Sequence, residues 1–258
     1  MTAGPTTAAD CGLWIRRFHR SPDCRVRLLC LPHAGGSASF FLPVARALAP
    51  EVEVLAVQYP GRQDRRGEEC VDNVPELAGR LLDALAGWLD RPLALFGHSM
   101  GALVGFELAG LMEREAHVSP VVLFASGRRA PSLADDEGVH LRSDEQIIAE
   151  MQRLGGTDAR ILGDPEMRAL ILPALRADLK AAECYRAART QRIGCPIEVL
   201  MGDADPRTPL PETRAWREHT SSDFDLTVYP GGHFFLAERA PEVIRQVAER
   251  LVGQPLNR

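Results

Sequence analysis

Gly97-His98-Ser99-Met100-Gly101 sets a serine between two glycines, where an apolar run (Leu93 to Phe96) gives way to helical periodicity from Met100. A serine at a strand-to-helix turn takes a strained backbone, which flanking glycines permit because neighbouring elements can approach closely. The turn lifts the hydroxyl clear of the strand and over a helix N-terminus, where developing negative charge is favoured. By itself G-x-S-x-G is a modest signal, with a chance expectation of roughly 0.1 in such a chain, and its plain alternative is a glycine-rich turn without chemistry. A serine nucleophile needs a base, itself oriented by an acid. With such a turn in a sheet, the chain order is serine, then Asp or Glu, then histidine. Asp205, in Gly202-Asp203-Ala204-Asp205-Pro206, and His233, in Gly231-Gly232-His233, fill these places just past two further apolar runs. Asp203 is the rival acid: it lies nearer its run, while Asp205 reaches further into the loop.

Pro32-His33-Ala34-Gly35-Gly36 follows the first apolar run, where a loop holding an oxyanion belongs. There the backbone N–H of Ala34, paired with that of Met100, would hold a tetrahedral oxyanion; the His33 ring has a local structural hydrogen bond as its plain alternative. His98 should point beside the nucleophile. His19, His117, His140 and His219 lie in charged or connecting stretches and are expected on the solvated surface.

Strands and helices alternate around these residues. Val26–Leu31, Val52–Tyr59, Leu93–Phe96, Pro120–Ala125, Ile197–Met201 and Leu226–Tyr229 read as strands. Phe40–Ala49, Val74–Leu89, Met100–Glu115 and Pro241–Val252 read as helices, the second stacking Leu77, Leu81, Leu85 and Leu89 four apart. Such βαβα order predicts an α/β fold, a mostly parallel sheet with helices on both faces. From 127 to 192 no strand pattern is found. Ser143 with Gln146 forms a capping box for a helix toward Leu154, stopped by Gly155-Gly156, and Glu166–Arg189 reads as mostly helical around Pro173. This stretch is expected to be a helical lid over the C-terminal edge of the sheet; extra helices in an ordinary domain are the simpler alternative.

The 258 residues suit one domain, 1–258, and 45% apolar with 25% charged residues excludes disordered and fibrous classes. A net charge of −5 gives no overall basic field for nucleic acid. The N-terminus lacks an apolar signal-peptide core and carries Asp10, and no apolar run reaches the roughly 20 residues that span a bilayer. The six cysteines (Cys11, Cys24, Cys30, Cys70, Cys184, Cys195) are scattered without a C-x-x-C pair, so they are read as reduced cytoplasmic thiols and not zinc ligands.

Several stretches together resemble one family. Leu31-Pro32-His33-Ala34-Gly35-Gly36-Ser37-Ala38, Tyr59-Pro60-Gly61-Arg62, Phe96-Gly97-His98-Ser99-Met100-Gly101-Ala102, Ser126-Gly127-Arg128, Leu175-Arg176-Ala177-Asp178, Gly202-Asp203-Ala204-Asp205 and Gly231-Gly232-His233-Phe234-Phe235 occur in family order along nearly the whole chain. The chain resembles the stand-alone (type II) thioesterases of polyketide and nonribosomal peptide synthases, within the α/β-hydrolase superfamily. The resemblance implies hydrolysis of acyl groups from the phosphopantetheine arm of acyl or peptidyl carrier proteins by a cytoplasmic monomer. Ser99 would be the nucleophile, His233 the base, Asp205 its orienting acid, and Ala34 with Met100 the oxyanion hole. No metal or organic cofactor is implied.

Carrier proteins are usually acidic, so Arg62, Arg65, Arg66, Arg128 and Arg129, which follow strand ends, are candidates to meet the carrier or the phosphate of its arm; solvated loop arginines are the plain alternative. Three rival functions are a general carboxylesterase or lipase using the same residues, a cyclising domain cut from a synthase, and a catalytically silent interaction protein. Intact Ser99, Asp205 and His233 argue against the last.

Overall fold

The computed structural model describes residues 12–134, 137–155 and 163–253, leaving Asp10, Cys11 and Gly156 outside. Seven strands form one sheet: β1 (Ile15–Arg16), β2 (Val26–Leu31), β3 (Val52–Val57), β4 (Leu93–His98), β5 (Leu123–Ser126), β6 (Ile197–Gly202) and β7 (Phe224–Tyr229). Their order is β1-β3-β2-β4-β5-β6-β7, parallel throughout except where β1 runs antiparallel to β3. Among the described residues the main α-helices are α1 (Leu42–Leu48), α2 (Val74–Ala84), α3 (Met100–Leu111), α4 (Asp144–Leu154), α5 (Pro165–Cys184), α6 (Leu210–Arg214), α7 (Phe235–Glu238) and α8 (Ala240–Val252), with short 3-10 and π-helical turns beside them.

Strand residues alternate between two cores because successive side chains leave a strand on opposite faces. Leu29, Leu31, Leu55, Val57 and Leu95 meet Leu77 and Leu81 of α2 and Leu103 and Phe106 of α3. Leu28, Cys30, Val54, Ala56 and Phe96 instead meet Ala45 and Leu48 of α1 and Val243 and Val247 of α8. Helices thus cover both faces, and β2 to β6 have no exposed residue, as a doubly covered parallel sheet requires.

Several expected boundaries move. Strand β1 falls in a segment the sequence left unassigned; two residues are too few to show a period. It is held by Trp14, whose carbonyl accepts the Gln58 N–H at 2.9 Å. Helix α2 stops at Ala84, the segment from Leu85 continuing as turns, and α5 stops at Cys184, short of Arg189. The Ser143–Gln146 capping box forms and starts α4, while Asp164 caps α5.

The sheet order reverses around β2, whose neighbours are β3 on one side and β4 on the other. At such a switch the loops leaving adjacent strands diverge and open a crevice. The loop after β2 carries His33 and Ala34, and the turn after β4 carries Ser99. Since Gly202 is paired with Tyr229, the Asp205 and His233 loops leave the same sheet edge. Between β5 and β6 the described residues are helical or irregular, apart from a single bridge of Ile193 to Thr220. There Ile147, Ile148 and Met151 of α4 pack with Leu175 and Leu179 of α5 in a small third core that reaches Ala34. No helix among the described residues is long and apolar enough to cross a membrane.

Candidate active site

The Ser99 turn is enforced by two close approaches. A Cβ at position 97 would lie 2.1 Å from the Gly101 carbonyl oxygen, and one at position 101 would lie 2.1 Å from that of Leu31. Only glycine lets β4 fold back on α3 and lets α3 press against the end of β2. Ser99 between them has φ 54° and ψ −116°, a conformation costly for a residue with a side chain. Its N–H donates to the Ser126 carbonyl of β5 at 2.8 Å, tying the strained residue to the sheet.

His233 Nδ1 lies 2.8 Å from Asp205 Oδ2, with both side chains buried. Asp205 Oδ1 accepts the Arg207 N–H at 2.9 Å. Burial opposes the charge on Asp205, but the hydrogen bond and charge of His233 outweigh it and hold the carboxyl below its usual range. Asp203 plays another part: its Oδ1 accepts the Gly231 N–H at 2.9 Å and shapes the loop before His233. With Nδ1 engaged by Asp205, Nε2 is the ring nitrogen left for other partners.

Ser99 and His233 line one cavity of about 40 Å³, together with Ala34, Arg128, Phe234 and the lid-side residues Met151, Leu154 and Leu179. No hydrogen bond joins Ser99 to His233 among the described residues; such contacts are often long before substrate binds. Ala34 N–H meets no protein acceptor among the described residues, and Met100 N–H stands at the first position of α3, where no intrahelical acceptor exists. Both proposed oxyanion donors therefore come from backbone the fold leaves free.

Three histidine rings cluster here. His98 lies 5.1 Å from His233 and 5.9 Å from His33 between centroids. His98 Nδ1 pairs with Ser126 Oγ at 3.0 Å, and its ring fills the space a side chain at Gly127 would need. His33 is clasped edge-on by Phe40 and Phe234, each at 4.8 Å. Burial first, then the charges of His233 and Arg62, push His33 down to about 3; burial and the same neighbouring ring hold His98 well below the usual range. Both are neutral at ordinary pH, and of the three only His233 has a carboxylate partner.

Other expectations are corrected. His219 is fully buried, between Ser132 Oγ and the Gln191 carbonyl at 2.8 Å each, and His140 is tied to Glu183. Of the five candidate docking arginines, Arg62, Arg65 and Arg128 are buried. Arg62 pairs with Asp178, Arg65 with Glu68, and Arg128 donates to the Ala182 carbonyl beside the cavity. Arg129 donates to the Ala134 and Arg207 carbonyls, which leaves Arg66 as the exposed one. The five described cysteines, Cys24, Cys30, Cys70, Cys184 and Cys195, are free thiols.

Two ion pairs beside the site were not legible in the sequence. Arg62 joins Asp178 across 116 residues, and Arg207 Nη2 joins Glu150 Oε1 at 2.6 Å across 57. Each links a helix of the 127–192 stretch to a loop of the site. No spacing rule reaches that far; the only sequence signal for the first was that both residues sat in family-like stretches.

Residues 26–251 match the thioesterase domain family. This chain is a member of that family. Among relatives of the thioesterase, PikA5 of Streptomyces venezuelae, itself named a thioesterase, is 51% identical over 244 residues, covering 94% of this chain and 87% of its own. The gramicidin S biosynthesis protein GrsT of Aneurinibacillus migulanus is 36% identical over 239 residues, covering 92% and 93%. Of solved structures, the type II thioesterase BorB from the borrelidin biosynthetic cluster superposes with a TM-score of 0.83 at 45% identity, covering 93% of this thioesterase and 96% of BorB.

Proposed function

We propose that this thioesterase is an editing, type II enzyme that hydrolyses acyl groups from the phosphopantetheine arm of acyl or peptidyl carrier proteins, through an acyl-enzyme on Ser99. The observation that carries the reading is the 2.8 Å His233–Asp205 hydrogen bond in a cavity shared with Ser99, in a chain of this family. A relative named for gramicidin S biosynthesis and a solved type II thioesterase from the yersiniabactin NRPS/PKS biosynthetic pathway support the choice of carrier-bound substrate.

His233 Nε2 takes the Ser99 proton as Oγ attacks the thioester carbon, and the resulting oxyanion lies against the N–H groups of Ala34 and Met100. Collapse breaks the carbon–sulfur bond; pantetheine leaves as thiol with the proton held by His233. Water then gives its proton to His233 as it attacks the acyl-serine, Ser99 Oγ leaves and regains that proton, and the free acid departs. Asp205 fixes the ring and stabilises its protonated form. A thioester is less resonance-stabilised than an ester and its thiolate leaves readily, so the sequence needs no metal or organic cofactor.

The 127–192 stretch acts as a lid within one domain. Met151, Leu154 and Leu179 from this stretch line the cavity beside Ser99, where the acyl group of the substrate would lie. The test is a rate comparison between an acyl-carrier thioester and a free ester of the same acyl group. Preference for the carrier-bound thioester by about a hundredfold or more in kcat/KM is expected; equal rates would assign the chain to general esterases.

A further inference from the structure

Three distant segments meet on one carboxylate. Asp178 of α5 has no exposed surface. Its Oδ2 accepts the Gly35 N–H at 2.8 Å and Arg62 Nη1 at 2.6 Å, while Oδ1 accepts Arg62 Nη2 at 2.8 Å. Arg62 Nη1 also donates to the Gly36 carbonyl at 3.1 Å. Beneath the pair, Gln58 accepts the Ala38 N–H at 2.9 Å and donates to the Arg62 carbonyl at 3.3 Å. The loop after β2, the loop after β3 and helix α5 are thereby fixed together.

The peptide units on both sides of Ala34 are held. A peptide is planar, with its C=O and N–H pointing opposite ways. The Gly36 N–H donates to the His33 carbonyl at 2.9 Å, which sets the direction of the Ala34 N–H in the same peptide. Asp178 holds the next peptide through Gly35, and Arg62 holds Gly36. Gly35 has φ 74°, and a Cβ there would meet Leu175 of α5 at 3.1 Å, so the helix rests directly on this loop. An ion pair this deeply buried is a poor choice for stability alone, because desolvating two charges offsets most of their attraction. What a bidentate carboxylate–guanidinium pair gives is fixed orientation.

We propose that Asp178 and Arg62 are positioning residues for hydrolysis: they aim the Ala34 N–H at the oxyanion through the Gly35–Gly36 peptides. The packing of α5 on the loop after β2 thereby holds this half of the oxyanion hole in place. The inference rests on the reading of Ser99 as nucleophile.

The test measures kcat and KM on an acyl-pantetheine thioester, affinity for a boronic acid that adds to Ser99 as a tetrahedral adduct, and Tm, in Asp178→Asn and Arg62→Lys. The expected result is a fall in kcat of about tenfold or more with KM changed less than about twofold, and boronate affinity falling with kcat. Because a lone buried charge can unfold a variant, the pair is also replaced together as Arg62→Met with Asp178→Leu. That double variant should recover Tm while kcat stays low. A folded variant with kcat within about twofold of the parent, or a double variant that regains kcat along with Tm, would overturn the proposal. Failure of the underlying reading looks different: Ser99→Ala would keep the parent rate, and the boronic acid would not bind the parent protein.

Discussion

Asp205 and His233 are 28 residues apart in the chain and 2.8 Å apart in space, both buried at one edge of the sheet. Each follows a strand whose partner carries the other, because β6 and β7 run parallel and in register from Ile197 opposite Phe224 to Gly202 opposite Tyr229. The imidazole is therefore positioned by sheet pairing as well as by its own hydrogen bond.

The two nearby acids separate experimentally. Asp205→Asn keeps the shape but removes the charge that stabilises protonated His233, and kcat should fall by about a thousandfold or more. Asp203→Asn keeps an oxygen for the Gly231 N–H and should stay within about threefold of the parent. Steady-state rates of the two purified variants check this; a reversed order would make Asp203 the orienting acid.

Acid should destabilise the protein well above the carboxylate range. His33 and His98 are buried and held far below their unfolded value of about 6.5. Below that value the unfolded chain binds protons that the native rings refuse, for His33 down to about 3, so stability is full above pH 6.5 and declines as pH falls. Near pH 5 His33 gives a slope of about 1.4 kcal/mol per pH unit, and His98 adds to it in the same direction. Urea unfolding at pH 7, 6 and 5 measures it, and a flat profile would mean that these rings accept protons in the native state.

The glycine contacts make a paired prediction. Gly101→Ala drives a methyl into the Leu31 carbonyl at 2.1 Å, whereas a Cβ at Gly79 on α2 meets nothing within 4 Å. The first should cost about 3 kcal/mol or more; the second should be neutral or stabilise by up to about 1 kcal/mol. Thermal unfolding of both variants decides. If Gly101→Ala is tolerated, α3 does not need its close approach to β2.

These contrasts mark what the sequence could reveal. Val26–Leu31 was legible to the residue because a strand buried on both faces is a mostly apolar run, here broken only by Arg27 and ended by Pro32. The Ser99 turn was legible because its glycines are local. Ile15–Arg16 was not, being two residues long. Arg62 read as a loop arginine, since charge predicts exposure unless a buried partner is known, and Asp178 lies 116 residues away. His219 was misjudged for the same reason: its acceptor at Gln191 and its Ser132 neighbour come together only in the folded chain. Local conformation and period are written in the sequence, while the pairing of distant polar groups is set by the tertiary fold.

The most direct measurement is intact-mass analysis of the protein quenched during turnover of an acyl-pantetheine thioester, run beside the Ser99→Ala variant. One acyl adduct per chain, mapping to Ser99, is expected, with both adduct and hydrolysis lost in a Ser99→Ala protein of unchanged Tm. An adduct on another residue, or a Ser99→Ala protein that still hydrolyses the thioester at more than a few per cent of the parent rate, would contradict it.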